Sequence, residues 1–401
     1  MMLGIIPFST LSTVEIVATC LLLLFVIERL GKCVLVLHFF AKKPPESPQQ
    51  WPTLSVIQPI TRGVCHLQGN LISRLSQDYA QDVQHIFLCD AHDGTNKQIA
   101  YDLAAQYRDC DVVVVEVQPD NGEIASKVKK MQLGHQLAVG EVLVFIDDDI
   151  ELRPAAFTQM VPYLYQKNIG AVFGLAWAAN WNSRWSAMMN LFVNGFALMT
   201  YIPLCYCTRP YSITGHIFAL KKSVYEQSGA LDNFSGRIGD DHEIAKNVRA
   251  LGLELQQSPV MYNVWNEFFS WRAYQAQIKR WVVIPRQVLF PNISHYDKCV
   301  STLLSLATTI PVILLIIGIV FANTLAIVYC GIALALSEII YIVHCYLYTK
   351  RTTPFASLVL LLFVNLFTPV HLLISYVTDN TALWRGELVK IDKGGKYERV
   401  T

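Results

Sequence analysis

Apolar residues in this chain follow two regimes. Long unbroken runs lie near both ends, and short β-branched bursts bounded by turn residues fill the middle. Crossing the hydrocarbon core of a bilayer takes about 20 residues of helix. Three runs towards the C-terminus meet that length: residues 303–322 hold no ionisable side chain, residues 324–343 hold only Glu338, and residues 355–377 hold only His371. Pro311 and Pro369 bend such helices without forbidding them. The first run, residues 11–40, is interrupted by Glu15, Glu28, Arg29 and Lys32, with a strictly apolar centre over residues 16–27. No Lys or Arg precedes that centre and no small-x-small cleavage site follows it, so a retained signal anchor is expected rather than a cleaved secretory signal.

Between residues 51 and 290 the pattern is that of an α/β domain. Strands are expected over residues 53–58, 84–89, 111–117 and 141–146, with helices over residues 68–77, 96–107 and 127–139 between them. Each strand is nearly all apolar, which suits burial on both faces of a mostly parallel sheet. Ligands of such sheets sit beyond the carboxyl ends of the strands. The expected organisation is an N-terminal anchor (1–43), a catalytic domain (51–290), C-terminal membrane helices (300–378) and a basic cytosolic or interfacial tail (379–401).

Composition supports the membrane reading. Of 401 residues 53% are hydrophobic and only 16% charged, against about a quarter charged in ordinary soluble domains. The formal charge of +1 gives no basic footprint for nucleic acid. Ten cysteines are scattered without zinc-site spacing, which favours reduced thiols and a reducing compartment. Residues 1–27 hold no Lys or Arg, whereas Lys42 and Lys43 follow the first span and Lys350 and Arg351 separate the last two. By the positive-inside rule the central domain faces the cytosol. If residues 355–377 cross fully, the basic tail falls on the wrong side; with Asn365, Pro369 and His371 inside it, that segment is alternatively re-entrant or interfacial.

Candidate chemistry gathers where the strands end. Strand 84–89 runs into Asp90, Ala91, His92 and Asp93, and strand 141–146 into Asp147, Asp148 and Asp149. Buried unpaired charges are costly, and hard oxygen ligands suit Mg²⁺ or Mn²⁺ held jointly with substrate phosphates. On an extended chain Asp147 and Asp149 point to one side and both reach a metal; a solvated acidic loop capping the next helix is the alternative. Asp240, Asp241, His242 and Glu243 open a helical run, where carboxylates also serve merely as caps. In QIKRW, Gln277, Arg280 and Trp281 share a helical face by their spacing. Arg forks onto phosphate and an indole offers a flat wall, although a solvated amphipathic face has the same pattern.

In their order these motifs resemble a known family. Asp93, Asp147, Asp241 and the pentapeptide from Gln277 to Trp281 look like the D, D, D, (Q/R)xxRW signature of the inverting GT-A transferases of family 2, and are most similar to the ceramide glucosyltransferase branch, family 21. The likeness covers the whole chain, including a Leu383, Trp384, Arg385, Gly386 tail and a Thr214-Gly215 step followed by Lys221. The resemblance implies a GT-A (Rossmann-like) fold flanked by transmembrane helices. Asp93 would meet the uracil or ribose of a UDP-sugar, Lys127 would lie near the donor, and Asp147 with Asp149 would anchor the metal. Asp241 would be the general base, with Gln277, Arg280 and Trp281 holding the diphosphate and lining the acceptor entrance.

The implied reaction is an inverting transfer of a hexose, glucose by that likeness, from a UDP-sugar to a membrane lipid hydroxyl. A lipid hydroxyl needs a carboxylate to take its proton, and a diphosphate leaving group needs a metal and Arg. Residues 188–206, rich in aromatics and methionine, either rest on the bilayer or form a buried core helix. Where the ceramide enzymes carry His-Pro, this chain has Phe192, Val193, Asn194 and Gly195, so hopanoid and diacylglycerol acceptors stay open. Two rivals share the motifs: a processive polysaccharide synthase, which needs more spans, and a catalytically silent nucleotide-sugar-binding subunit. A bacterial inner membrane and a Golgi or endoplasmic reticulum membrane fit equally.

Overall fold

The structure, a computed structural model, describes residues 11–119, 126–232, 234, 236–384 and 387–400. Arg385 and Gly386 of the tail motif lie outside the described residues. At the centre is an eight-stranded mixed sheet. Its strands are β1 (Leu54–Pro59), β2 (Val83–Asp90), β3 (Asp111–Val117), β4 (Val142–Ile146), β5 (Ile150–Leu152), β6 (Ile169–Ala178), β7 (Ile217–Lys221) and β8 (Glu254–Val264), in the order β3-β2-β1-β4-β7-β6-β8-β5. β1 to β4 pair in parallel, β7 runs antiparallel between β4 and β6, and β6 pairs in parallel with β8. The carboxyl ends of β1, β2, β4 and β6 therefore open on one crest, and the start of β7 joins them there.

β1 and β4 are buried along their whole length, as the unbroken apolar runs require. Helices α2 (Leu67–Leu75), α3 (Gly94–Gln106) and α4 (Lys127–Leu137) make the crossovers that parallel strands demand. The second half of the sheet adds α5 (Ala156–Leu164), α6 (Arg184–Cys207), α7 (Lys222–Ser228) and α8 (Asp240–Ala250). β6 and β8 carry a register shift between Phe173 and Leu175. Buried Gln257 and Ser258 of β8 donate to the carbonyls of Phe173 and Gly174 that the shift leaves free.

Among the described residues, four helices are long and apolar enough to cross a membrane: Arg184–Cys207, His295–Val320, Thr324–Thr349 and Phe355–Val377. The protein is membrane-associated on that ground. The set includes α6, which is more than half buried inside the protein, so residues 188–206 are chiefly a core helix. Beyond α9 (Trp271–Ile284) come α10 (His295–Leu306), α11 (Ile310–Val320), α12 (Thr324–His344) and α13 (Phe355–Val377); the last two match the apolar runs read from the sequence, whereas the run over 303–322 is divided between α10 and α11, and the helix begins eight residues before it. α1 (Thr13–Ala41) is a single 29-residue helix despite its charges. Glu28 pairs with Arg29 at 3.0 Å and with Lys32 at 2.5 Å, and Lys32 also donates to the Leu304 carbonyl at 2.7 Å. Arg29 and Lys32 are buried, so the ionisable residues neutralise one another against α10 instead of ending the helix.

α13 touches the domain of the eight-stranded sheet along its length. Arg153 donates to the Thr349 carbonyl at 2.8 Å just before it, Phe367 and His371 lie on Trp271, and Arg286 donates to the carbonyls of Tyr376, Thr378 and Asp379 at its end. The tail after it is no loose basic segment. β9 (Thr381–Trp384), β10 (Glu387–Ile391) and β11 (Tyr397–Arg399) form an antiparallel sheet, whose Ala382, Val389 and Ile391 pack on Val283 of α9 and Ile238 before α8.

Candidate active site

The crest of the sheet is assembled by a buried arginine. Arg74 of α2 donates to Gln58 of β1 at 2.6 Å, to the Ile150 carbonyl at 2.9 Å and to the Asp147 carbonyl. Burial lowers its pKa to about 10, which leaves it charged and able to clamp the Asp147–Ile150 turn. That turn corrects the extended-chain expectation. The Ile150 amide donates back to the Asp147 carbonyl at 3.4 Å, so the three aspartates fan out. Asp148 turns inward and accepts from the Thr61 amide at 2.5 Å and hydroxyl at 2.7 Å, a structural role.

Asp147 and Asp149 stay on the crest. Asp147 meets Lys127, the first residue of α4, at 2.7 Å, and Lys127 also meets Asp240 at 3.1 Å. Burial opposes the charge of Lys127, but Asp147, Asp240 and Asp241 together hold its pKa above the ordinary lysine range. One ammonium thus serves three carboxylates. Asp149 has a buried carboxylate oxygen with no hydrogen-bond partner among the described residues. Burial, then the charge of Asp147, pushes its pKa up to about 7.

Asp241 reaches the same place through two glycines. Gly239 caps α8 at φ 97°, and a Cβ there would lie 2.7 Å from Val288, so both conformation and space demand glycine. At Gly215, just before β7, a Cβ would stand 3.3 Å from the Asp241 carboxylate. The glycine lets the acid lie against the backbone beside Asp147, whose amide donates to the His216 carbonyl at 2.9 Å. Asp241 accepts from the His242 amide at 2.8 Å. Burial, then Asp240, raises its pKa to about 7.

Asp93 stands at the end of β2 as the cap of α3, accepting from the Asn96 amide at 3.2 Å and side chain at 2.8 Å. Arg280 has no carboxylate within bonding distance among the described residues. Its guanidinium lies 5.4 Å from the centre of the Trp384 ring, in the field of Asp149 and Asp147. Trp281 stacks on Phe192 of α6 at 5.8 Å, and Gln277 is partly exposed on the same helix.

Three supports escaped the sequence reading. Arg74 looked like an ordinary helix residue. Wholly buried Lys130 pairs with Asp90 at 3.0 Å and donates to the Ile60 carbonyl at 2.6 Å. Its only signal was a lysine on the face of α4 that also presents Met131. Trp384 was part of a recognised tail, yet nothing in its spacing placed it over Arg280.

No group of three or more His, Cys, Asp or Glu is placed to hold a metal among the described residues. Asp147 and Asp149 nevertheless fit a hard divalent cation: two carboxylates, one with an orphaned buried oxygen, in a pocket whose negative charge exceeds its positive. Such a pair suits an ion whose coordination a diphosphate completes.

The fold has a solved counterpart in a mannosyltransferase from Pyrobaculum calidifontis, determined in complex with GDP-Man and Mn²⁺. It aligns over 88% of this chain and 99% of its own with a TM-score of 0.50 and 16% identity. At that identity the likeness concerns the fold, a GT-A-type mixed sheet with accompanying helices. Residues 16–397 match the model of glycosyl transferase family 21, and the chain belongs to that family of glycosyltransferases.

Proposed function

We propose that the protein transfers a hexose, glucose by family likeness, from a UDP-sugar to the hydroxyl of a membrane lipid with inversion at the anomeric carbon. The observation that carries this reading is the Asp241 carboxylate, pressed against Gly215 beside Asp147 with a pKa near 7. A carboxylate so poised takes a proton from a hydroxyl far better than one in water. Asp93 meets the nucleoside, Arg280 and Gln277 meet the diphosphate, and Trp281 walls the acceptor side. Asp147 and Asp149 hold Mg²⁺ or Mn²⁺, which when bound neutralises the leaving diphosphate. The mannosyltransferase solved in complex with GDP-Man and Mn²⁺ supports a nucleotide sugar and a divalent ion here.

In the same reading the catalytic domain faces the cytosol, α1, α10–α11 and α12 cross the bilayer, and α13 lies along the interface because both its ends hold the catalytic domain. That placement keeps the tail on the catalytic side and removes the conflict in loop charge. Membranes carrying the protein, incubated with labelled UDP-glucose, UDP-galactose or UDP-N-acetylglucosamine, should yield one labelled lipid, dependent on Mg²⁺ or Mn²⁺. Label appearing only in free sugar, or in a polymer, would overturn the reading.

A further inference from the structure

The start of β7 bridges the two halves of the catalytic crest. At Gly215 the chain lies against the Asp241 carboxylate, and one residue on the His216 carbonyl accepts from the Asp147 amide at 2.9 Å. An in-line displacement sets the anomeric carbon between the leaving diphosphate and the base. In the function proposed above the diphosphate lies by Asp147 and Arg280 and the base is Asp241, so the donor sugar lies over Gly215 and His216. We propose that the His216 imidazole reads one hydroxyl of that sugar, accepting its hydrogen bond at Nε2; the inference rests on that reading of the site.

That Nε2 is an acceptor follows from counting protons. Buried Gln257 and the Thr214 hydroxyl both donate to the Gly174 carbonyl, at 2.9 and 3.3 Å. A hydroxyl has a single proton to give, so Thr214 receives the proton of Tyr262, whose phenol it meets. The wholly buried Tyr262 hydroxyl in turn stands 3.1 Å from Nδ1 of His216. With its own proton given to Thr214, it accepts one from Nδ1. Burial lowers the pKa of the ring, and a neutral imidazole carries one proton, so Nε2 is left bare. The relay fixes the tautomer from the sheet interior outward.

That lone pair has no partner among the described residues. The ring is half-buried and lies in the field of Asp147, Lys127 and Arg280. Two other occupants fit it worse. A bare nitrogen repels the oxygens of a diphosphate, which the Arg280 guanidinium suits instead. A divalent ion at Asp147 and Asp149 gains no third ligand from it, since no three such groups are placed to hold one among the described residues. A sugar hydroxyl can donate, and a site built around that hydrogen bond rejects a sugar lacking it far more strongly than an apolar wall does.

The test uses the full chain in nanodiscs with Mn²⁺ at pH 8, titrated calorimetrically with UDP, UDP-glucose and the monodeoxy forms of UDP-glucose. The wild type should bind one monodeoxy form roughly tenfold more weakly than UDP-glucose, the effect of one lost hydrogen bond. His216→Ala should lose the same factor on UDP-glucose, bind that monodeoxy form no more weakly than UDP-glucose, and keep its affinity for UDP and for Mn²⁺. His216→Gln, which retains an acceptor, should recover part of the loss. The inference is overturned if His216→Ala weakens UDP as much as UDP-glucose, if it still discriminates against the same monodeoxy form tenfold, or if its Mn²⁺ affinity changes. Coupling between His216 and one hydroxyl in a protein that labels no lipid would keep the sugar contact and reject the proposed transfer. Labelled lipid without that coupling would reject the sugar contact alone.

Discussion

Two of the places where the protein buries charge treat it oppositely. In α1, Glu28 lies within ion-pair distance of Arg29 and Lys32, and Lys32 also donates to a backbone carbonyl, so opposite charges offset one another. On the crest of the sheet, Asp147, Asp149, Asp240 and Asp241 crowd around Lys127, and two of them have pKa values near 7. The first arrangement lets a charged helix sit in an apolar bundle. The second stores electrostatic repulsion that a cation and a proton donor relieve. Removing charge should therefore harm stability in α1 and harm catalysis, but not stability, on the crest.

The largest expected effect is at Asp241. Asp241→Asn should lower lipid glycosylation by about 10³-fold or more with donor affinity unchanged, as measured by initial rates and by UDP titration. The wild-type rate should climb as pH rises through about 7, where Asp241 loses its proton and becomes able to accept the hydroxyl's; a flat profile through that region would assign the proton transfer elsewhere. Glu28→Leu should cost about 3 kcal/mol, because breaking a buried pair strands the surviving charges. Thermal unfolding in nanodiscs would register that loss, and an unchanged midpoint would show the cluster to be solvated.

Asp149→Asn should act with the opposite sign. Its folded pKa, about 7, lies above the ordinary 3.8, so the ionised form destabilises the folded state. The penalty is absent below pH 4 and complete above about pH 7. Metal-free protein at pH 8 should therefore gain a few kcal/mol, up to about 4, in the variant, while metal-dependent activity falls. The smallest effect concerns Trp384→Ala, which removes the ring beneath Arg280. A lost cation–π contact is worth about 1 kcal/mol, or several-fold in kcat/KM, and Trp384→Phe should restore most of it.

The same contrast explains what the sequence made legible. β1 to β4 were readable because apolar strands end abruptly in turns, two of them at Asp90 and Asp147, and Phe355–Val377 because its apolar run is long enough to outweigh Asn365, Pro369 and His371. β8 was not, since Gln256, Gln257 and Ser258 break its pattern, two of them to satisfy carbonyls at the register shift opposite. In α1 the Glu28–Lys32 spacing of four allows a pair, but the contact of Lys32 with the Leu304 carbonyl is not in the spacing. Of the site, the carboxylates and the α9 motif could be seen, but not Arg74 or Lys130. Their buried partners are backbone carbonyls and distant side chains that spacing cannot reveal. The three short strands of the tail carry too few alternating residues to announce a sheet.

The central claim is a single displacement in which one carboxylate deprotonates the lipid hydroxyl. The most direct measurement is the anomeric configuration of the glycolipid formed from UDP-α-glucose, read from its anomeric proton coupling by NMR. A β-linked product is predicted; an α-linked product would contradict the account, because retention requires a second displacement or a front-face path that a lone Asp241 does not supply.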